Sequence, residues 1–470
     1  MGTISSAFNL IAGALDANQG ALDIVANNVA NANTTGYTRE VPNWQENPPV
    51  VINGTTYGEG VTMTGPTAVR DSVLEQRLNQ QQQLASSSGA QLAALNTLQS
   101  LFTPDSGSAG AGAGDIGSDL TKFFSSFSSL EANPTNAALR QQVLSSAALL
   151  AGDVSSAAAS LNQQQSALDQ EAAGVTTQVN ALTTAIAKLN QQIQTIGATG
   201  DASSLQDQRQ QDLNQLSQLI GINEVKTENN GLSVTTTSGQ LLVSQAASFE
   251  LTSSPVSGVT HFFVNGTDIT SELTSGGGEL GGYLTARDVN IPDALSSLDE
   301  LAYNVSTAVN TQNNAGTDLA GDNGGAGDIF YQPAAAAGSA ATMSVVMTDP
   351  NHIAAAANGA GTGDNSNATA IADLANQGIV NGDTPTNFFA AFVSQLGALV
   401  SQVQTENTAQ NASVTQLQSQ RDALSGVNLN DEAAAMQQYE RSYQAASQVF
   451  SILNTVIASA LNMGVETAVS

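Results

Sequence analysis

The sequence predicts a mainly α-helical chain with a small inserted antiparallel β domain, terminal helices that form a coiled coil, and a bundle of long helices in the middle. Three observations carry this reading. Thin apolar stripes with heptad spacing lie at both ends. A helical apolar period runs almost unbroken over 135–196. Within 221–270 that period falls to two.

At the N-terminus, Ile4, Phe8, Ile11, Leu15, Leu22, Val25, Val29 and Ala32 recur in alternating steps of four and three, with Asn18 filling the vacant place. Two apolar positions per seven residues make a coiled-coil seam, and a lone Asn in such a seam commonly fixes register. The C-terminus repeats the pattern with Met436, Tyr439, Tyr443, Ala446, Phe450, Leu453, Ile457 and Ala460. Asn430 is placed to cap that helix, and Asp431 and Glu432 fall in its first turn, where the helix dipole favours acids. Stripes this thin suit two helices that pair with each other in an extended rod. A pair of helices in an ordinary bundle would leave the same trace.

Between the ends, Leu74, Leu78, Leu92, Leu95 and Leu98 mark a helix over 70–101, and a Gly/Ser/Ala linker runs from Ser106 to Gly114. Leu120, Phe123, Phe127 and Leu130 share one helical face over 118–130. Pro134 stops that element and opens a helix to residue 196, about 90 Å long at 1.5 Å per residue, with Gly174 as its weakest point. A shorter helix covers 203–220. The β segment shows as Leu232, Val234 and Thr236, then Leu241 and Val243, Phe249 and Leu251, and His261 and Phe263, with turns at Ser238-Gly239 and Asn265-Gly266. Helix resumes after Pro292, residues 313–366 read as Gly/Asn-rich loop, and a last long helix spans 386–424, closed by Gly426. The expected units are therefore 1–69, a coiled-coil helix and loop; 70–220, the first half of a helical rod; 221–287, the β domain; 288–424, the second half of the rod; and 425–470, the returning coiled-coil helix.

Composition narrows function. The net charge is −29, and the 11 basic residues are scattered, which argues against nucleic acid and against anionic membrane surfaces. Charged residues make up only 11%, so polarity comes from Gln, Asn, Ser and Thr, which suit packing against copies of the same chain. There is no cysteine, hence no disulfide, thiolate metal site or thiol nucleophile. No basic, uninterrupted apolar leader and no long apolar run are visible, so neither a cleaved signal nor a membrane span is expected.

Catalytic and cofactor chemistry is not indicated. His261 and His352 cannot form a multi-histidine metal site, and HExxH is missing. His261 reads as a structural strand residue and His352 as a solvated loop residue. The acidic glycine loops near Asp322 and Asp364 lack the calcium-loop spacing and read as turns. The glycine-rich stretch 276–282 lacks the Lys and Ser/Thr of a phosphate loop. Trp44, close to Pro42, Pro48 and Pro49, suits an interface anchor or a packed loop residue equally.

The stretch from Leu22 through Asn27-Asn28-Val29-Ala30-Asn31-Ala32-Asn33-Thr34-Thr35-Gly36-Tyr37-Thr38-Arg39 resembles the N-terminal motif of flagellar rod, hook and hook-associated proteins. Ser425-Gly426-Val427-Asn428-Leu429-Asn430-Asp431-Glu432, followed by Tyr439 and Tyr443-Gln444-Ala445-Ala446, narrows the resemblance to the hook-associated protein 1 family. So do 276–288, Asp207-Gln208-Arg209, and Gly316-Thr317-Asp318-Leu319. The resemblance implies a structural subunit of the bacterial flagellum, at the junction of hook and filament, exported without a cleaved leader. It implies partners in copies of itself, the hook protein, a second junction protein, and a cytoplasmic chaperone on the C-terminal region. The terminal seam residues would be the assembly interface. A hook or rod protein of the same superfamily is the nearest alternative, and a secreted hydrolase on an export scaffold a more distant one.

Overall fold

The computed structural model describes residues 2–52, 54–103, 116–197, 202–228, 230–323 and 327–466. The linker expected at Ser106–Gly114 and the side chains of Ile4 and Ala460 lie outside the described residues. The fold is mainly α-helical with small antiparallel sheets, as the sequence predicts.

Helix α1 (Gly2–Ala30) opens the chain. The stretch expected to follow as loop is instead a β ribbon. In it, β1 (Glu40–Glu46) pairs antiparallel with β4 (Val61–Ala68), and the short β2 (Val50–Ile52) and β3 (Thr55–Tyr57) form its tip. Its apolar residues are too sparse to build a core alone, so no strand stands out by period. The ribbon gains its burial by lying on α1: a Cβ placed on Gly20 would come within 2.8 Å of Met63 Sδ, and one on Gly13 would lie 3.4 Å from the Val61 carbonyl.

Helices α2 (Ser72–Phe102) and α3 (Ile116–Glu131) lead to α4 (Ala137–Ile196), whose 60 residues are continuous through Gly174. Asp71 and Asn136 cap α2 and α4, each accepting from two backbone N–H groups of the first turn. Then come α5 (Ser203–Leu219) and two sheets. The first holds β5 (Ile222–Lys226), β6 (Leu232–Thr236), β7 (Leu241–Ser244) and β8 (Ala247–Ser248) in that spatial order. The second holds β9 (Leu251–Val256), β10 (Val259–Val264) and β11 (Thr267–Asp268), with β10 central. Gly239 and the pair Asn265 and Gly266 take the positive φ that the predicted turns require. One strand runs in the opposite phase from the sequence reading. Phe262 and Val264 enter the core while His261 and Phe263 face outward, and because strand side chains alternate, a phase error of one residue exchanges the two faces.

The glycine-rich stretch, expected within the β domain 221–287, is helical. It forms α6 (Thr270–Gly276) and α7 (Gly278–Thr285), and a π turn at Ala286–Asn290 runs into α8 (Ile291–Asn314). Its glycines serve close approach: a Cβ on Gly282 would lie 2.2 Å from the Ser87 carbonyl of α2, and one on Gly278 2.4 Å from the backbone of Ile220. The loop region carries β12 (Gly316–Thr317), α9 (Ser339–Thr342), β13 (Ala356–Ala357), which pairs with β12, and α10 (Ser366–Asp373). Helix α11 (Pro385–Ser425) and helix α12 (Leu429–Glu466) complete the chain. Gly426 does end α11, but at an ordinary φ of −74°. Glycine is needed there because a Cβ would sit 2.3 Å from the Asp422 carbonyl.

Helix α4 is the spine of two cores. From Val143 to Leu168 its apolar face packs with α2, α3, α8, α10 and α11. From Ala172 to Ala187 it packs with α5, α7 and the two sheets. One window of α4, of mean hydropathy 1.3, is long and apolar enough to cross a bilayer by composition, yet its apolar side supplies these cores. Buried Arg287 stitches the two halves, donating to Asp169 at 2.6 Å and to the Thr260 carbonyl at 2.9 Å, with its other nitrogens on Asp288.

Phe123 is fully buried among Phe124, Phe127 and Phe330, at centroid distances of 5.1–5.5 Å. Phe123→Ala is expected to cost about 3–5 kcal/mol, read as a lowered denaturation midpoint. A shift worth less than 1 kcal/mol would contradict this core.

Candidate assembly joint

The two terminal helices pair with each other, antiparallel. Phe8 meets Phe450 with ring centroids 4.6 Å apart, and twenty residues along α1 Asn28 meets Glu432 near the start of α12. On α12, Tyr439, Tyr443, Ala446, Phe450, Leu453 and Ile457 are half-buried, the expected stripe, while Met436 is 36% exposed. On α1, Ile11 and Val25 are buried and Phe8, Leu15 and Leu22 half-buried. The buried arc of α1 is wider than one seam, because Ala17, Ala21 and Ile24 are covered too. The helix carries the ribbon on one side and α12 on another. Trp44 bridges them, its ring 6.2 Å from Tyr439.

Two seam positions behave otherwise than the heptad implies. Asn18 turns its amide back onto the Ala14 carbonyl at 2.6 Å, the local bond that a helical Asn readily makes, so it does not hold register. Val29 is 39% exposed, because α1 ends at the next residue and Asn28 takes the buried place at that level.

Asn28 holds the register. Its Nδ2 donates to the Glu40 carbonyl at 2.8 Å and to Glu432 Oε2 at 3.1 Å. Its Oδ1 accepts from Tyr37 Oη–H at 2.8 Å and from Glu40 N–H at 2.9 Å. All four hydrogen-bonding positions of one carboxamide are used, which only Asn satisfies at this reach. Glu432, 1% exposed, also accepts from Arg39 Nε at 2.7 Å. It is thus a buried acceptor rather than a helix-dipole acid. The cap of α12 is Asn428, whose Oδ1 accepts from Asn430 N–H at 3.0 Å.

The turn between α1 and β1 anchors to the rod. Thr38 donates through N–H and Oγ1 to Asp207 of α5 at 3.0 and 2.7 Å, and Arg70 also pairs with Asp207. Gln211 donates to the Thr35 carbonyl at 2.7 Å, and Arg39 N–H to the Ser425 carbonyl at 2.8 Å. Gly36 sits at φ +80°, and a Cβ there would lie 2.3 Å from Gln211 Nε2, so both backbone and space demand glycine. A polar cavity lined by Asn31–Tyr37, Gln211, Gln215, Gln418 and Asn428 lies beside this turn. Residues far apart in sequence converge here: the motif after α1, the start of α2, α5, and the α11–α12 connection.

The chain resembles known flagellar proteins. Residues 105–330 match the family described as the flagellar hook-associated protein FlgK helical domain, and residues 8–38 match the flagella basal body rod protein family. Flagellar hook-associated protein 1 of Escherichia coli K12 is 25% identical over 98% of this chain and all of its own length. The Bacillus subtilis 168 protein of the same name is 26% identical over 96% of this chain and 97% of its own.

Along nearly its whole length the chain is similar to flagellar hook-associated protein 1.

Among solved structures, the flagellar hook junction protein FlgK from Burkholderia pseudomallei matches with a TM-score of 0.64 and 18% identity, over 74% of this chain and 100% of that one; it shows the fold. The alignment to the Escherichia coli relative spans 558 positions against 470 residues here, so that member of the family carries segments this chain lacks.

Outside the joint, His352 keeps much of its ring in solvent, as the sequence suggests, but is also paired. Its Nδ1 lies 2.7 Å from Oδ2 of buried Asp318, whose Oδ1 accepts from Asp322 N–H at 2.9 Å. Donor atoms of Asp318, Asp322 and His352 lie within 4.8 Å of one another. Both Asp318 oxygens are already engaged, however, which makes the group a clamp between 316–322 and 349–357. His261 pairs similarly with Asp268 at 2.7 Å on the β9–β10–β11 sheet.

Two outcomes follow from this geometry. Glu432→Ala leaves Asn28 Nδ2 and Arg39 short of an acceptor, a loss of about 1–3 kcal/mol. Limited proteolysis should then release α12 roughly ten-fold faster or more while 70–425 stays intact, and unchanged protection would remove the joint's claim to importance. At the clamp, the bond to Asp318 raises the His352 pKa. That stabilisation is therefore complete below the ordinary histidine range and is lost as pH rises through the raised value. Asp318 is pushed up by burial, but His352 and the Asp322 N–H outweigh this and hold it low. Its contribution is present above the ordinary carboxylate range and is lost as pH falls through the depressed value. Hydrogen-exchange protection of Asp322 N–H should peak between these limits, and His352→Ala should abolish its alkaline decline.

Proposed function

We propose that this chain is the structural subunit that links the flagellar hook to the filament and enables filament assembly, exported to the flagellum and built into it through its paired ends. The observation that carries the reading is the joint. The two family motifs at opposite ends of the chain close on one another through Asn28, Arg39 and Glu432, and the seam beyond them leaves apolar surface on the pair. Val449, Ile452 and Val456 line the outer face of α12 at 47, 59 and 52% exposure, a patch that a free monomer keeps at risk of aggregation.

The same surface supports the partner assignments. Copies of the chain, the hook protein and a second junction protein would cover the outer face after assembly, and a cytoplasmic chaperone would cover the C-terminal region before it. Ile4, Phe8, Ile11, Leu15, Leu22 and Val25, with Tyr439, Tyr443, Phe450, Leu453 and Ile457, are the proposed interface. We take 70–424 as the helical rod, with 221–287 as its insert, the strands of two small sheets followed by α6 and α7. Ordering the ends on assembly would let an unfolded chain pass an export channel and let subunit contacts offset the entropy. The role is structural, and no reaction is assigned. The basal-body rod family match at residues 8–38 is compatible with a hook or rod subunit, but the long α4 and α11 favour the junction.

Deleting residues 436–470 should abolish incorporation while residues 70–425 remain folded by circular dichroism. A strain carrying only this deletion should show hooks without filaments by electron microscopy. Hooks that still bear filaments would overturn the proposal, and missing hooks would favour the hook or rod alternative.

A further inference from the structure

A buried polar triad crosses from α2 to β5 behind the joint. Glu75 and Asn79, 3% and 1% exposed, lie one turn apart on the buried face of α2, the spacing at which helical side chains meet. Glu75 Oε1 accepts from Arg421 Nε at 3.0 Å, and Asn79 Nδ2 donates to Glu224 Oε1 of β5 at 2.5 Å. The remaining atoms, Glu75 Oε2 and Asn79 Oδ1, are both buried and have no partner. Each is an acceptor, and an ionised Glu75 leaves both without a donor, which burial makes unfavourable. A single proton supplies the donor that both lack.

We infer that Glu75 is held as the neutral carboxylic acid, its Oε2–H donating to the carboxamide oxygen of Asn79. The chain of bonds then runs without a gap from Arg421 through Glu75 and Asn79 to Glu224. Reversing the Asn79 amide would move the need for the proton to Glu224 and would not remove it, since two carboxyls joined by one carboxamide accommodate one proton. The charged groups around the triad oppose one another. Arg421 of α11 and Arg70 favour ionisation of Glu75 and Asp207 of α5 disfavours it, while Arg209 of α5 and Lys226 of β5 favour ionisation of Glu224 and Glu75 disfavours it. Burial is the largest influence on both carboxyls and raises both pKa values. Arg209 is itself lowered to about 10, by burial and then by Arg70, so further charge separation in this cleft is unfavourable.

Glu75 acts on the joint as a positioning residue. It holds Arg421 one turn before Ser425, whose carbonyl receives Arg39 N–H. Because its folded pKa is raised, its stabilisation is complete below the ordinary glutamate range and lost as pH rises through the folded value. The joint therefore loosens toward alkaline pH.

The test is thermal unfolding of the full-length chain from pH 5 to 9, for wild type, Glu75→Gln and Glu75→Ala. Gln reproduces the neutral acid, donating to Asn79 and accepting from Arg421. Glu75→Gln should match wild type at pH 5 and exceed its Tm increasingly as pH rises, and Glu75→Ala should be lower throughout. A Glu75→Gln protein that melts below wild type at neutral pH, as loss of an ionic partner of Arg421 requires, overturns the inference. Carboxyl carbon NMR decides independently of stability: a Glu75 resonance in the neutral-acid position at pH 6 supports it, and an ionised Glu75 at that pH, including one with the proton on Glu224, overturns it.

Discussion

The hydrogen bonds of one buried carboxamide set the geometry of the terminal half of this molecule. Asn28 is the point where α1 ends, the ribbon begins and α12 starts. An antiparallel pair joined only by apolar contacts would be free to slip, since apolar contacts have no direction. Two donors and two acceptors with fixed directions, desolvated at the end of the pair, penalise any slipped register by leaving polar groups unmatched. Glu432 and Arg39 extend the same network to the α11–α12 connection, and Thr38, Asp207 and Arg70 extend it to α5 and α2. The orientation of the pair on the rod is thereby set by polar bonds rather than by the seam.

The rod is organised differently. A single long helix lends its first half to one core and its second half to another, with Arg287 and Asp169 at the changeover. Dispersion and apolar burial dominate there, and glycines at 278, 281 and 282 let α7 approach its neighbours at backbone distance. The chain thus combines a body stabilised by packing with an end stabilised by a few directed bonds and a thin, half-covered seam. That contrast suits a subunit whose body folds alone and whose ends gain their full burial from neighbours.

Much of this was legible in the sequence. Periods of 3.5 and 3.6 identified the helices, because a helix must turn one face to its partner along its whole length. Turn chemistry at Ser238-Gly239 and Asn265-Gly266 located two hairpins, because few residues adopt positive φ. The ribbon over 40–68 leaves no period in the sequence, because its burial comes from α1 rather than from strands of its own. The phase of β10 is hidden for a related reason: Phe262 and Phe263 are equally apolar, and only the position of the sheet on α4 decides which of them is covered. Gln and Asn on the inner face of α2 likewise gave no apolar period.

The sequence alone determined the long helices and that the two ends bear complementary stripes, since these follow from local period and from residue chemistry. It also carried the motif residues from Asn27 to Arg39 and from Ser425 to Glu432, but as a resemblance without a mechanism. Only the tertiary structure decided that Asn28 rather than Asn18 holds the register, that Glu432 is buried rather than a helix-dipole acid, and that Asp207 receives Thr38. Each of those bonds joins residues more than 100 positions apart or depends on which helix face a third element covers, and local patterning records neither.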